Sequence, residues 1–284
     1  MNNDLVVMSN PLVEGRYAYS EIEAKLIYTV ISKIELDHAD FFKYTIEAKD
    51  IGTYKDVKKN CKSLLTKPFE VKEEGSKNFT IYNLFSSLRY ENGYIIADFH
   101  PDLKPLLFGI KKELGFTKFG LKNIMNLNSR YLIRLYTLFK KEQFKTVWEI
   151  EFKELCELLQ VPKSYYMYKN FKLKILDHLE EINTKTDIFI SYQVVKKGRA
   201  VDKIKFIIQK DDFEQFVKDI RKKYQEGIDG KNIILIKKGK DVWKLNSNGH
   251  IEKNNEVLTP GIADVTWKHL YEESKKGTLD FSIE

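Results

Sequence analysis

From Ser20 onward apolar side chains return at helical spacing, with Ile22, Leu26, Ile27, Val30, Ile31 and Ile34 on one face, so 20–36 is predicted to be an amphipathic helix. Ser20 and Glu23 stand in the S-x-x-E relation of a capping box, which places its start. The pattern then alternates at 42–47, a predicted strand, and returns to helical over about 55–66 before Pro68. Strand-like runs follow at 69–73, 78–90 and 94–99, and Asn92-Gly93 marks a tight hairpin between the last two. Pro101 opens a short helix, PDLKPLLFGI.

A second series begins near Asn128, where Tyr131, Leu132, Leu135, Tyr136 and Phe139 share a helix face. A strand at 147–151, a short helix at 152–159 and a break at Val161-Pro162 come next. A helix from about Tyr166 to Ile182 leads into strands at 187–194 and 201–208, joined by the turn KKGR at 196–199. Residues 128–208 thus run helix, strand, helix, helix, hairpin, and 20–99 follow much the same order with the middle helices less clearly separated; YTIEAKD at 44–50 matches WEIEFKE at 148–154. That is the chain order of a winged helix, a helix-turn-helix with a two-stranded wing. Beyond 210 the pattern predicts a helix at 212–227, short strands near 232–237, 241–246 and 249–253, and a helix at 261–275. The expected fold is α+β: two tandem winged-helix domains, 1–125 and 126–210, with a small C-terminal α/β accessory domain, 211–284.

Composition sharpens this picture. Apolar residues at 43% and aromatics at 13% supply real cores and exclude disorder for most of the chain. No 18-residue apolar run occurs and the first residues lack a basic-then-apolar leader, so neither a membrane span nor a secretory signal is expected. Cys61 and Cys156 are the only cysteines, which fits a reducing cytoplasm better than a disulfide framework. Residues 211–284 hold 13 of the 48 basic and 14 of the 41 acidic side chains, so 1–210 carry a net charge of +8. Positive charge concentrated in the repeated region points to a polyanion partner.

The candidate chemistry follows that charge. Lys163, Ser164, Tyr165, Tyr166, Tyr168, Lys169 and Asn170 crowd the start of the second repeat's last helix, and Lys172 and Lys174 continue it. Such a helix start offers cations for phosphates and polar groups for base edges. Lys196, Lys197 and Arg199 fall at the predicted wing tip, and 163–205 hold ten basic against five acidic residues. In the first repeat the comparable helix carries Lys55, Lys58, Lys59, Asn60 and Lys62, with Val57, Leu64 and Leu65 expected to face the core. Enzyme readings find little. There is no G-x-x-x-x-G-K-[ST] loop, and the five histidines have no metal-ligand spacing, so no catalytic residue, metal or cofactor is expected. The Tyr165, Tyr166, Tyr168 cluster superficially resembles a nicking-tyrosine motif, but rolling-circle nicking enzymes pair that tyrosine with a His-x-His metal site that this chain lacks. Packing or phosphate contact is the expected role of these tyrosines.

Three blocks resemble the initiator Rep proteins of theta-replicating, iteron-containing plasmids: MSNPLVEGRYAYSEIEAKLIYTVISKI at 8–34, SRYLIRLYTLFKKEQ with WEIEFKELCELLQV within 117–160, and YMYKNFKLKILDHLEEINTKTDI with KKGRAVDKIKFII within 166–208. The resemblance implies a protein that clamps direct repeats of double-stranded origin DNA. It implies that the second winged helix makes the main base contacts, while the first adds contacts and forms a homodimer interface. Monomers would bend and open the origin and recruit host helicase and other initiator proteins, and dimers would repress their own gene. Carried over by position, Lys169, Asn170, Lys172 and Lys174 would be recognition-helix contacts. Lys196, Lys197 and Arg199 would be wing contacts, Lys58, Lys59 and Lys62 their first-domain counterparts, and Arg130 a phosphate clamp. A winged-helix transcription regulator without initiation activity is the alternative, and residues 211–284 have no counterpart in the resemblance.

Overall fold

The computed structural model describes residues 5–34, 43–72, 77–107, 115–210, 234–238, 241–245, 251–253, 256–259, 266–267, 269–271, 273–274 and 280–283. The chain forms two compact units, Met1–Asp211 and Asp212–Glu284. The first opens with strand β1 (Leu5–Ser9) and a short helix α1 (Asn10–Glu14), followed by α2 (Glu21–Ile31). The capping box of α2 forms as the sequence implies: Glu23 N donates to Ser20 Oγ at 3.2 Å and Ser20 N to Glu23 Oε2 at 2.6 Å. Burial alone would raise the Glu23 carboxyl, but hydrogen bonds from Lys67, Ser63 and the Ser20 amide outweigh it and hold its pKa below the ordinary value.

Strand β2 (Tyr44–Glu47) alternates buried and exposed residues, and α3 (Tyr54–Leu64) starts on Thr53, whose hydroxyl accepts from Asp56 N. The expected strand at 78–90 is two strands. β3 (Phe69–Lys72) pairs with β4 (Phe79–Tyr82), whereas β5 (Phe85–Glu91) pairs with β6 (Tyr94–Phe99). Leu84 is buried at the break, so the chain turns there to insert it into the core. Asn92 and Gly93 both have positive φ, +49° and +87°, as a two-residue hairpin loop of type I′ requires. The short helix after Pro101 divides into a 3-10 turn, Pro101–Leu103, and α4 (Lys104–Leu107), with 108–110 outside the described residues. β7 (Phe116–Gly120) then pairs antiparallel with β1, and α5 (Leu121–Met125) follows.

The second series begins with α6 (Arg130–Glu142), β8 (Val147–Glu151) and α7 (Phe152–Leu158). The single helix expected from Tyr166 to Ile182 is broken: a 3-10 turn at Lys163–Tyr166, α8 (Tyr168–Lys174), a 3-10 turn at Leu176–His178 and α9 (Glu180–Lys185). Ile175 leaves the helical region at φ −133°, ψ −59°. Both Ile175 and Leu176 are buried, although adjacent residues point about 100° apart on an unbroken helix. The break turns both inward. β9 (Ile188–Lys197) and β10 (Ala200–Lys210) close the unit, longer than expected.

The two series share a topology, not only an order. Each has a three-stranded antiparallel sheet in which the single strand pairs with the second strand of the hairpin: β2-β6-β5 and β8-β10-β9. Phe206, on the central strand of the second sheet, is fully buried against Phe139 and Trp148, with ring centroids 4.9 and 5.6 Å away. Helix α6 is buried on every side from Leu132 to Phe139, because β7, α1 and α2 cover the face that the second sheet leaves open. One core therefore runs from Val6 to Ile208.

In the second unit β11 (Ile234–Lys238), β12 (Asp241–Leu245), β13 (Ile251–Lys253), β14 (Glu256–Val257) and β15 (Asp280–Ile283) form an antiparallel sheet in the order β14-β13-β12-β11-β15. Residues 266–267, 269–271 and 273–274 are helical, and Trp267, Leu270 and Tyr271 are buried there, as Ile236, Trp243 and Ile251 are on the sheet. The helix expected at 212–227 lies outside the described residues.

Candidate nucleic-acid interface

The second helix-turn-helix is built around two aromatic anchors. Phe171 of α8 is fully buried and meets Phe152 of α7 edge-on at 5.1 Å, which fixes which way α8 turns. With Phe171 and Ile175 inward, Lys169, Lys172 and Lys174 stand in solvent. Lys163 and Ser164, in the turn before α8, are exposed too. Asn170 is half-buried and its amide donates to the Ser164 carbonyl at 2.8 Å, so that donor closes the turn. Tyr168 packs against Phe152 at 5.8 Å, and burial, then the neighbouring Tyr192, pushes its phenol up to about 12. It stays neutral at physiological pH and is built into the framework. Tyr165 likewise lies 6.0 Å from Tyr131, whereas Tyr166 is exposed.

Lys172 is ion-paired with Asp177 across the break at Ile175, and that hydrogen bond is the main cause of its raised pKa. Arg130, half-buried, has one guanidinium nitrogen 3.0 Å from both the Gln160 carbonyl and the Tyr131 hydroxyl. Gln160 has a left-handed backbone, φ +46°, in the turn after α7. Arg130 thus ties the first helix of this repeat to the turn of the helix-turn-helix, a task set beside the phosphate contact expected of it.

The wing projects further than the sequence pattern implies. Strand pairing continues to Lys196↔Val201 and Lys197↔Ala200, leaving only Gly198 and Arg199 in the loop. Gly198 has φ +64° in the first loop position, where a type II′ hairpin turn takes glycine. Lys196, Lys197 and Arg199 are all exposed. A register shift between Val201 and Lys203 adds twist just behind the tip.

The first repeat is less basic where it counts. Lys58, Lys59 and Lys62 are exposed on α3, and Lys58 sits 5.9 Å above the ring of Tyr54, which meets Tyr90 of β5 at 5.0 Å. Asn60, grouped with the surface lysines by sequence, is buried instead: it donates to the Asp56 carbonyl at 2.8 Å and accepts from Ser20 Oγ at 3.3 Å. Leu65, expected in the core, is 37% exposed because the helix ends at Leu64. The hairpin tip here carries Asn92 and Gly93, and nearby Arg89 pairs with Glu91 and Asp98 at 3.9 and 3.8 Å.

Two features escaped the sequence reading. Leu173 is 55% exposed and Met167 64% exposed amid the lysines of α8 and its approach. Leu173 was detectable, since it lies two residues from both buried Phe171 and buried Ile175 and so about 200° away from them. The other is Arg134, a lone cation in the apolar run of α6, which is buried. It donates to the Val13 carbonyl, to Tyr17 Oη at 2.8 Å and to the Gly15 carbonyl at 2.7 Å. Among the described residues no three His, Cys, Asp or Glu side chains converge as a metal set, and no helix is long and apolar enough to cross a membrane. Burial raises both free thiols, Cys61 and Cys156, the latter to about 12, so both stay protonated at neutral pH.

Comparison with known proteins places these features in a lineage. Residues 5–140 match the family described as Initiator Replication protein, WH1, and 151–208 the one described as Initiator Rep protein, WH2. A replication initiation protein of Escherichia coli is 24% identical over a match spanning 74% of this chain and 71% of that protein. Among solved structures, the Pi initiator protein in complex with iteron DNA superposes with a TM-score of 0.60 at 22% identity, covering 75% of this chain and 99% of that one. At that identity the likeness is one of fold, and the fold is the pair of winged helices. Domains 2 and 3 of RctB give a TM-score of 0.41 at 11% identity, with 67% of this chain and 81% of that chain covered. With both winged-helix models matched in order along most of its first 208 residues, the chain belongs to the initiator replication protein family.

Proposed function

We propose that the protein initiates plasmid replication by binding direct repeats, or iterons, in double-stranded origin DNA, and that its second winged helix reads their sequence. The observation that carries this reading is the exposed basic surface on two neighbouring elements of one winged helix: Lys163, Lys169, Lys172 and Lys174 at the helix, Lys196, Lys197 and Arg199 at the wing. Cations on helix and wing suit phosphates along the major groove and its flank. That the Pi initiator, similar in fold, was crystallised with iteron DNA supports the same class of target here. Lys58, Lys59 and Lys62 then add phosphate contacts from the first winged helix, where the wing offers no basic tip. Bending and opening of the origin, recruitment of host helicase and initiator proteins, a cytoplasmic location and self-repression belong to this reading.

The first winged helix also supplies the surface for a second copy. β4 is an edge strand among the described residues, and its Phe79 and Ile81 are 57% and 58% exposed on one side of the strand. Edge pairing between two copies would cover both the apolar side chains and the free backbone groups. Footprinting of DNA flanking the gene tests the main proposal: protection is expected over several direct repeats, and a plasmid carrying the gene with those repeats should replicate. Protection of a single palindrome, with no replication, would identify a transcription regulator instead.

A further inference from the structure

The exposed leucine of α8 is placed where only an apolar group on DNA would reward it. Phe171 and Ile175 point into the core, and residues two positions away on a helix point about 200° elsewhere, so Leu173 faces directly outward. Lys169 lies one turn before it and Lys172 and Lys174 on either side, all exposed. In the free protein about half of Leu173 stays in water, among the exposed lysines. Those same cations would hold the helix against phosphates or guanine edges. Within the major groove the apolar group that base edges display is the C5-methyl of thymine.

We propose that Leu173 is a specificity-determining residue that packs on the C5-methyl group of a thymine in the recognition sequence. The proposal rests on the DNA-binding reading above and names one base-edge contact within it. The charge around Leu173 fits it to nucleic acid: a protein partner with an apolar patch would have to bury the ammoniums of Lys169 and Lys174 beside it, and the Lys172–Asp177 pair with them, whereas the DNA backbone neutralises such cations.

The test uses the full chain and a pool of random-sequence duplexes, from which the bound sequence is selected and resynthesised with each thymine singly replaced by deoxyuridine. That replacement removes only the methyl group. Burying one methyl-sized group is worth about 0.8 kcal/mol, which converts to roughly a fourfold change in affinity. The wild-type protein is therefore expected to bind about fourfold more weakly when one particular thymine loses its methyl. Leu173→Ala is expected to bind the thymine and deoxyuridine duplexes equally at that position and to keep any penalty at the others. Leu173 is exposed, so the variant should fold, and an unchanged circular dichroism melting midpoint checks this. A wild-type protein indifferent to deoxyuridine at every position overturns the proposal, as does a variant that retains the wild-type discrimination. A pool from which no sequence is enriched would overturn the DNA-binding reading and this contact with it; enrichment without a methyl effect removes the contact alone.

Discussion

The lysines of α8 differ in what they must give up to meet a phosphate. Lys172 is held by Asp177, while among the described residues Lys169 makes no ion pair. Both members of the pair are substantially exposed, so the bond itself adds little stability. Its consequence is felt on binding, because Lys172 must leave Asp177 or bring a carboxylate towards the DNA. Lys169→Ala should therefore lower the salt dependence of binding by about one unit of slope, the loss of one phosphate contact. Asp177→Asn should do the opposite, strengthening binding and steepening the slope by up to about one unit as Lys172 is released. Fluorescence anisotropy titrations of an origin duplex between roughly 50 and 200 mM salt would show both effects. Weaker binding by Asp177→Asn would mean that the carboxylate itself accepts from a base, the major-groove donors being cytosine N4 and adenine N6.

Two of the glycines with positive φ, Gly115 and Gly198, stand at joints of the fold, and their surroundings separate them. Gly198, at φ +64°, has open space where a Cβ would go, whereas a Cβ on Gly115, at φ +61°, would sit 2.6 Å from Asn10 Nδ2. Asn10 Oδ1 accepts from Thr117 Oγ1 at 2.8 Å, beside the β1–β7 pairing. Gly198→Ala should cost only the left-handed backbone, about 1 kcal/mol. Gly115→Ala should cost about twice that, because displacing Asn10 also loses a hydrogen bond worth about 1 kcal/mol. Urea unfolding midpoints would rank them, and equal losses would mean that Asn10 swings aside freely. The elements themselves were legible in the sequence wherever the chemistry is local. The Ser20–Glu23 box, the Asn92-Gly93 loop and strand 147–151 form as read. The break at Ile175 was not legible, because Phe171, Ile175, Leu179 and Ile182 fit one stripe of an unbroken helix and only the core demands Leu176 as well. Nor was the full length of the wing, since Lys196 and Lys197 are strand residues by virtue of their partners on β10 and not by propensity. For the candidate site, the lysines could be read as residue types at a helix start. The commitments of Arg130 and Asn170 could not, because their partners are the backbone carbonyls of Gln160 and Ser164.

At the scale of the first unit, the two winged helices are joined through α6 and α1, and the question is which contacts hold them. Arg16–Glu157 at 3.4 Å and Lys141–Glu14 link the halves near the surface, and such pairs contribute at most about 1 kcal/mol each. Arg134 is different in kind. It is buried, lies 4.3 Å from the Tyr17 ring and supplies donors to two carbonyls and a phenol of the 13–17 segment. Without it the buried Val13 and Gly15 carbonyls lose this partner, while Tyr17 Oη keeps its bond with Tyr28 Oη, so Arg134→Met should cost about 1–3 kcal/mol for each carbonyl. Arg134→Lys should recover only part of this, since an ammonium cannot reach all three acceptors in the guanidinium's planar geometry. Native-state amide exchange would locate the loss. One core spans both halves, so slowly exchanging amides of α2 and α6 should open together in the wild type, and Arg134→Met should lower protection in both by a similar amount. Loss confined to α6 and the second sheet would show instead that the winged helices open independently, with α1 and α2 able to hold their own core.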